Sequence, residues 1–469
     1  LSPPGMLSPM NIYSKLYLNF SGSLKVVCFY KFWEFTRDEI FIVIYISQFV
    51  KIDNSMEEFI DGKFFEWVDD AARKIKGFRG EDITIVHHND ADGICSGAIL
   101  SKLCEYLGFS PKLICIEKVH PAIVEKIHEQ VDGVIAYTDL GGLAAKMIDK
   151  INAGRSYVFI IDHHPAIPIE SDHVFVLDPE LGGISGDVFV SAATLNYIFF
   201  RRITEEAKKY AYIAVIGAVG DYHDRSGGVL GLDRFALQEA IDEGQVKVKL
   251  EQYKERYFIN FFNEFADIVA KYLTDLGACG YGMRCYRDAV KVLFEGFDEK
   301  TLQEAEELDR LREEKFRAEI ERLRDEGFNV GRYTQWFHVG DRFSPLGVKS
   351  VGEFCQLIKD MMFVDGRKYL IGFQNMPRII PDIGEIDWNA VKMSGRAPTQ
   401  LERMILRGVA PGLDVLVPKA SDAVGGFADA THKIAAACVI ERGTEEEFIE
   451  EFEKSVESLK PGNLGFLGD

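Results

Sequence analysis

Apolar residues recur at helical spacing from Phe59 to Ile75 and give way to Gly77 and Gly80, which predicts an amphipathic helix closed by glycine. Beyond it, short runs rich in β-branched residues alternate with helical patterns of ten to fifteen residues. Strands are predicted at Ile83–His87, Lys112–Ile116, Val134–Thr138 and Tyr157–Ile161, and a further apolar run, Ala214–Val219, reads as another. Helices are predicted over 95–107, 122–130 and up to Ile151. This alternation predicts an α/β fold with a doubly wound parallel sheet. Its strands show no in–out alternation, as burial on both faces requires.

The alternation fades after Asp233. Residues 234–275 read as helical. Thr301–Glu326 is a charged helix with Leu308, Leu311, Phe316, Ile320 and Leu323 along one side, and its Glu and Arg residues read as a solvated face. A second alternation begins near Tyr333 and ends in a helix from Thr444, which predicts a smaller C-terminal α/β domain. The expected organisation is an extension over 1–55, a catalytic domain over 56–233, a helical connector over 234–332 and a substrate-binding domain over 333–469. The extension opens on Leu-Ser-Pro-Pro-Gly and shows no clear period, whereas Met56 begins a regular helix start. It is expected to be non-native upstream sequence or a poorly ordered arm.

Composition narrows the classes. Of 469 residues 47% are apolar, so a packed core is expected and general disorder is not. Lys and Arg number 54 against 74 Asp and Glu, a net charge of -20, which argues against a generally basic nucleic-acid coat but allows a local basic groove. The eight Cys are scattered without a C-x-x-C pair, so reduced thiols and a cytoplasmic location are expected. The most apolar stretch, 40–50, is eleven residues long and too short to span a membrane.

The chemistry gathers where predicted strands end. Four clusters stand there: His88-Asn-Asp90-Ala-Asp92-Gly93, Asp139-Leu-Gly141-Gly142, Asp162-His163-His164, and Gly220-Asp221. In open α/β sheets the crevice beyond the carboxyl ends of the strands is the usual ligand site. Carboxylates and imidazoles delivered there make an oxygen-rich site suited to Mn²⁺ or Mg²⁺, and the carboxylates would repel one another without cations between them. Two metals about 4 Å apart would activate a water and steady a phosphoryl leaving oxygen. Taken singly, each cluster is an ordinary turn or polar surface. Four in this order are not.

These four clusters resemble the motifs of the DHH phosphoesterase superfamily, and the His-x-Asp-x-Asp-Gly form of the first points to its RecJ-like exonucleases. Gly217-Ala-Val-Gly-Asp-Tyr resembles the fourth motif of archaeal RecJ-like proteins. The resemblance covers about residues 80–225, and the tail after 333 more loosely. It implies a two-Mn²⁺ site, with Mg²⁺ as the alternative, that hydrolyses phosphodiester bonds of single-stranded DNA or RNA. Asp90, Asp92, Asp139, His163 and Asp221 match metal ligands, Asp139 as the bridge, with His88 a further ligand. Asp162 would orient its neighbours and His164 would face the scissile phosphate. His87 matches no role and reads as a polar strand end.

The C-terminal part resembles the DHH-associated domain that grips substrate. Ser394-Gly395-Arg396 fits its Ser-x-Arg element, where arginine can fork onto a phosphate. The family's Gly-Gly-His-x-x-Ala-Ala-Gly signature is present only in part. The register Ala430–Ala437 keeps His432 and the alanines but loses the glycines, and the register Gly425-Gly426-Phe427 does the reverse; the first runs directly into the expected strand. Lys392, Arg403 and Arg407 are candidate members of a basic groove beside Arg396, and Arg396 and His432 are expected to touch phosphates away from the scissile bond. A small-substrate phosphoesterase and a replisome scaffold with GINS-type partners are the alternatives to the exonuclease.

Overall fold

The computed structural model describes residues 62–78 and 82–459, except the side chains of 429 and 430, together with the backbone of three earlier strands. Those strands, Tyr13–Leu18, Leu24–Thr36 and Glu39–Tyr45, pair as an antiparallel sheet in a segment where the sequence shows no period. Otherwise the reading of 1–55 as an extension lies outside the described residues, as does Gly80. Everything below belongs to the compact unit Phe59–Asp469.

Helix α1 (Gly62–Lys76) leads into a five-stranded sheet made of β1 (Asp82–His88), β2 (Ser110–Ile116), β3 (Val134–Thr138), β4 (Tyr157–Ile161) and β5 (Val174–Leu177). Its order is β2-β1-β3-β4-β5, and every pair is parallel. The chain leaves β1 in one direction to form β2 and returns to the other side of β1 for β3. The strand order reverses there, and a crevice opens beyond the ends of β1 and β3. Helices α2 (Ala91–Leu107), α3 (Pro121–Gln130) and α4 (Ala145–Asn152) make the crossovers. Ile123, Val124 and Ile127 of α3 pack on the sheet with Ile135 and Ile148.

The predicted strand Ala214–Val219 is instead part of α6 (Ala211–Gly220), which follows α5 (Ala192–Arg201). Residues 211–219 are all buried. A helix buried on every side has no polar stripe, so its sequence carries the same uninterrupted apolar run as a buried strand. The fourth acidic cluster therefore follows a helix, and the fifth strand is the four-residue β5. Residues 234–275 are also only partly helical. Between α7 (Gly231–Asp242) and α8 (Ala266–Thr274) lies a three-stranded antiparallel sheet of β6 (Val246–Glu251), β7 (Lys254–Ile259) and β8 (Glu264–Phe265). Five of the six residues of β6 are exposed, which hid its strand period among lysines.

Helices α9 (Tyr286–Glu295) and α10 (Glu299–Glu326) lead to a six-stranded C-terminal sheet. Its strands are β9 (Asn329–Val330), β10 (Thr334–His338), β11 (Tyr369–Asn375), β14 (Ala390–Arg396), β15 (Phe427–Thr431) and β16 (Ala435–Glu441), in the order β9-β10-β11-β14-β16-β15. A small ribbon of β12 (Ile379–Ile380) and β13 (Gly384–Glu385) precedes β14. Helices α11 (Lys349–Ile358), α12 (Thr399–Leu406), α13 (Leu413–Ala423) and α14 (Glu445–Leu459) cover the sheet. Among the described residues no helix is long and apolar enough to cross a membrane.

One buried polar cluster lies apart from the crevice. His128, 4% exposed, sits with Nδ1 3.2 Å from Asn152 Oδ1 and Nε2 3.1 Å from the Tyr137 hydroxyl. The neutral ring satisfies both partners, donating to the amide and accepting from the phenol. Burial disfavours the charged form and holds its pKa at about 4. Because the folded value lies below the unfolded one, acid favours the unfolded chain between about pH 6.5 and pH 4. Urea unfolding should show the wild type losing about 1–2 kcal/mol more than His128→Leu between pH 7 and pH 5. Equal losses in the two proteins would refute this.

Candidate metal centre

Three strands and two helices end at one point. β1 delivers His88 and β3 hands over to Asp139, whose φ of 62° turns its carboxylate back across the sheet edge. β4 hands over to Asp162, His163 and His164. Asp90 caps α2, its Oδ1 accepting from the Gly93 amide at 3.0 Å. Asp221 follows the last turn of α6. α6 can approach only through a glycine: a Cβ on Gly217 would fall 2.5 Å from Asp92 Oδ1 and 2.4 Å from the Ala193 methyl.

Asp139 lies at the middle of the cluster. Its Oδ1 is 3.3 Å from His163 Nε2 and 3.9 Å from His164 Nδ1, while its Oδ2 is 3.5 Å from His88 Nδ1. His88 Nδ1 lies 3.0 Å from Asp90 Oδ2. The side chains form three sets whose ligand atoms lie within 4.8 Å of one another: His88, Asp90 and Asp139; Asp139, His163 and His164; and His163, Asp221 and His223. Asp139 belongs to two of the three, the position a bridging carboxylate needs. Asp92 belongs to none. Its two oxygens accept from the Ala192 and Ala193 amides at the start of α5, at 2.7 and 3.0 Å, and it stands 3.8 Å from His163 Nε2.

The electrostatics call for a cation. Burial, then the charge of Asp139, pushes Asp92 up to about 8. His163 points its Nδ1 hydrogen at the Gly186 carbonyl, 3.0 Å away, so its Nε2 faces the carboxylates, and that buried atom has no hydrogen-bond partner. An orphan imidazole nitrogen 3.3 Å from one carboxylate and 3.7 Å from another fits a bound divalent ion. Asp162 joins none of the three ligand sets. Its Oδ1 accepts from the His163 amide at 2.8 Å and from His164 Nδ1 at 2.9 Å, and its Oδ2 accepts from the Gly142 amide at 2.8 Å. Gly142 has no room for a side chain, since a Cβ would come 2.8 Å from Asp178 Oδ2.

Residues 82–218 match the family described as "DHH family, N-terminal domain". The chain carries a DHH domain. It is similar to an uncharacterised protein of Methanocaldococcus jannaschii, 24% identical over 217 residues, a match that spans 44% of this chain and 48% of that protein. The fold resembles RecJ in complex with Mn²⁺ from Thermus thermophilus, with a TM-score of 0.56 at 14% identity over 84% of this chain and 55% of that one. It also resembles an exonuclease RecJ bound to manganese, with a TM-score of 0.54 at 16% identity over 83% of this chain and 94% of that one. The chain thus spans about half the length of the first two.

Across the crevice from the DHH motifs runs a groove of about 1080 Å³, into which His88, Asp90 and His164 face from one side and Ser394, Arg396 and His432 from the other. Arg396 donates to Ser394 Oγ at 3.1 Å and to its neighbour's carbonyl at 2.8 Å, and among the described residues no carboxylate pairs with it. The turn Thr431–Ile434 between β15 and β16 brings His432 and Ala435–Ala437 to the groove, whereas Gly425 and Gly426 do not reach it. His432 lies nearer the centre than the sequence suggests, its ring 6.1 Å from that of His164 and its Nδ1 3.4 Å from Asp187 Oδ2. Lys392 lines the groove, whereas Arg403 on α12 and Arg407 just beyond it do not. α10, read as a solvated helix, contributes Arg312, Phe316 and Arg317 to the wall.

Sequence reasoning missed His223 and Lys349. His223 stands two residues beyond Asp221, a signal that was available in the chain. Lys349 begins α11 and pairs with Asp90 across 259 residues, a contact no local pattern could announce. His87 is a strand-end residue only in part: it is fully buried, and burial lowers its pKa to about 4.

Two outcomes follow for Mn²⁺ binding by calorimetry. Protons compete for the site, because Asp92 sits at about 8 and the carboxylates hold His163 well above the usual imidazole range against the cost of burial. Affinity should therefore climb from pH 6 to pH 9. Lys349→Met, which removes a cation beside Asp90, should strengthen binding by about 1 kcal/mol, roughly fivefold. Weaker binding in the variant would show that Lys349 supports the site rather than opposing it.

Proposed function

We propose that this chain is a metal-dependent phosphodiesterase, a RecJ-like exonuclease that hydrolyses single-stranded DNA or RNA. The observation that carries the reading is Asp139, shared by two ligand sets whose His88, Asp90 and His164 line a groove, while the far wall presents a guanidinium that pairs, among the described residues, with no carboxylate. His88 and Asp90 would hold one cation, His163 and Asp221 the other, and Asp139 both. Bound Mn²⁺ or Mg²⁺ supplies a water nucleophile at neutral pH and neutralises charge on the phosphoryl group.

The protein's own groups do the rest. Asp162 fixes His164 through Nδ1, which leaves the other ring nitrogen for a phosphoryl oxygen in the groove. Burial and His163 oppose protonation of His164, but Asp162 outweighs them and holds it at about 9, so the ring offers a positive donor at neutral pH. Arg396 forks onto a phosphate, with Ser394 fixing its plane. His432 stands close enough to His164 to meet the same phosphate or its neighbour. The groove lies at the upper end of the roughly 300–1,000 Å³ of small-molecule pockets, which favours more than one nucleotide. Net charge of -20 does not oppose this, because Arg317, Lys392 and Arg396 concentrate positive charge along the wall.

Digestion of end-labelled single-stranded DNA and RNA ladders with Mn²⁺ or Mg²⁺ tests the reading. Stepwise shortening from one end, weakening as salt rises, is expected. Asp139→Asn should lower turnover by at least ~10³-fold at any substrate concentration. Arg396→Ala should instead raise the substrate concentration required, by about 1.5–3 kcal/mol, with a smaller effect on dinucleotides. Turnover confined to dinucleotides would favour the small-substrate phosphoesterase, and turnover without a divalent ion would overturn the proposal.

A further inference from the structure

Beyond the motif residues, a fourth histidine reaches the centre. After α6 the chain makes a tight turn in which the Tyr222 amide donates to the Val219 carbonyl and the His223 amide to the Ala218 carbonyl, each at 3.0 Å. Tyr222 takes a φ of 60° and stands 72% exposed. The turn throws Tyr222 outward and brings both of its neighbours inward. His223 is 3% exposed, with its ring 5.8 Å from that of His163. Its Nε2 lies 3.0 Å from Asp221 Oδ2 and forms no hydrogen bond of acceptable geometry there.

The other ring nitrogen is engaged. Nδ1 lies 2.6 Å from Oδ2 of Asp233, which is 1% exposed. A carboxylate there keeps a hydrogen on Nδ1 and aims Nε2 at Asp221 and His163. Asp233 is itself fixed, its Oδ1 accepting from the Ser191 amide at 3.0 Å. Carboxylate, imidazole and open nitrogen in line are the arrangement in which an outer carboxylate orients a metal-binding histidine. His163 repeats it with a backbone carbonyl in the carboxylate's place. Two buried imidazoles thus turn orphan nitrogens toward one carboxylate.

We infer that His223 is an additional nitrogen ligand of the cation held by His163 and Asp221, with Asp233 as its positioning residue. The inference rests on the metal-centre reading and adds to it a nitrogen-rich ion site beside an oxygen-rich one, which makes the two cations chemically unequal. Softer ions such as Mn²⁺ or Co²⁺ should fill the His163–Asp221–His223 site before Mg²⁺ does.

Calorimetric titration of the full chain with MnCl₂, paired with the visible spectrum of the Co²⁺-loaded protein, tests this without recourse to activity. The wild type should bind two ions. In His223→Gln one site should weaken by at least roughly 10–100-fold, the other should keep its affinity, and the Co²⁺ bands should shift. Asp233→Asn keeps an oxygen for the Ser191 amide and loses the charge on His223; it should weaken the same site by roughly 10–100-fold. It carries the test should His223→Gln fail to fold. Two ions bound with wild-type affinity and an unchanged Co²⁺ spectrum in both variants would reduce the triad to an internal ion pair and overturn the inference alone. A wild type that binds no Mn²⁺ would overturn the metal-centre reading as well.

Discussion

Everything at the crevice follows from the difficulty of holding several carboxylates together out of water. Asp90 stands 3.0 Å from His88, and Asp92, Asp139 and Asp221 stand 3.8, 3.3 and 3.7 Å from His163, so close that unscreened repulsion would scatter them. The protein prevents this with backbone dipoles. The first amides of α5 hold Asp92, the Gly93 amide of α2 holds Asp90, and the amides of His163 and His164 hold Asp162. The doubly wound sheet is the frame that lets three strands and several helix ends meet at one place, and the reversal of strand order beside β1 is what leaves that place open.

How far the sequence revealed this depends on range. Residues delivered by strands, such as His88, Asp139 and Asp162–His164, were legible because an apolar run followed by a polar cluster marks the end of a buried strand. Asp221 was found for a partly mistaken reason, since the run before it is a helix buried on all sides and its lack of polar stripe imitates a strand. The hairpin of β6 and β7 was hidden because an exposed strand need not alternate. Lys349 and the groove-facing side of α10 were beyond reach, because each takes its meaning from a partner distant in the chain.

The C-terminal sheet illustrates the same point. Four of its six strands and the final helix were visible from period, yet β15 was not, and the location of His432 beside His164 depends on how far the β15–β16 turn projects. Of the three alanines in the groove wall, Ala435 and Ala436 keep the expected alanine pair, and Ala437 stands where glycine was expected. On the proposed function, the methyl group of Ala437 sets a minimum distance between backbone and ligand, so contact with phosphate would fall to Arg396 and His432 rather than to amides.

The left-handed backbone at Asp139 has a bearing on how this protein can change over generations. At a φ of 62° only glycine, asparagine and aspartate sit without marked strain, and β-branched or bulky residues are excluded. Glutamate, the one other side chain with the required charge, would carry both the strain and an extra methylene into a space already shared with three imidazoles. Every cheap replacement therefore removes the charge, and the replacement that keeps the charge is costly. The position has no neutral neighbours in sequence space: a lineage can lose this centre in a single step, but it cannot drift through intermediate forms of it.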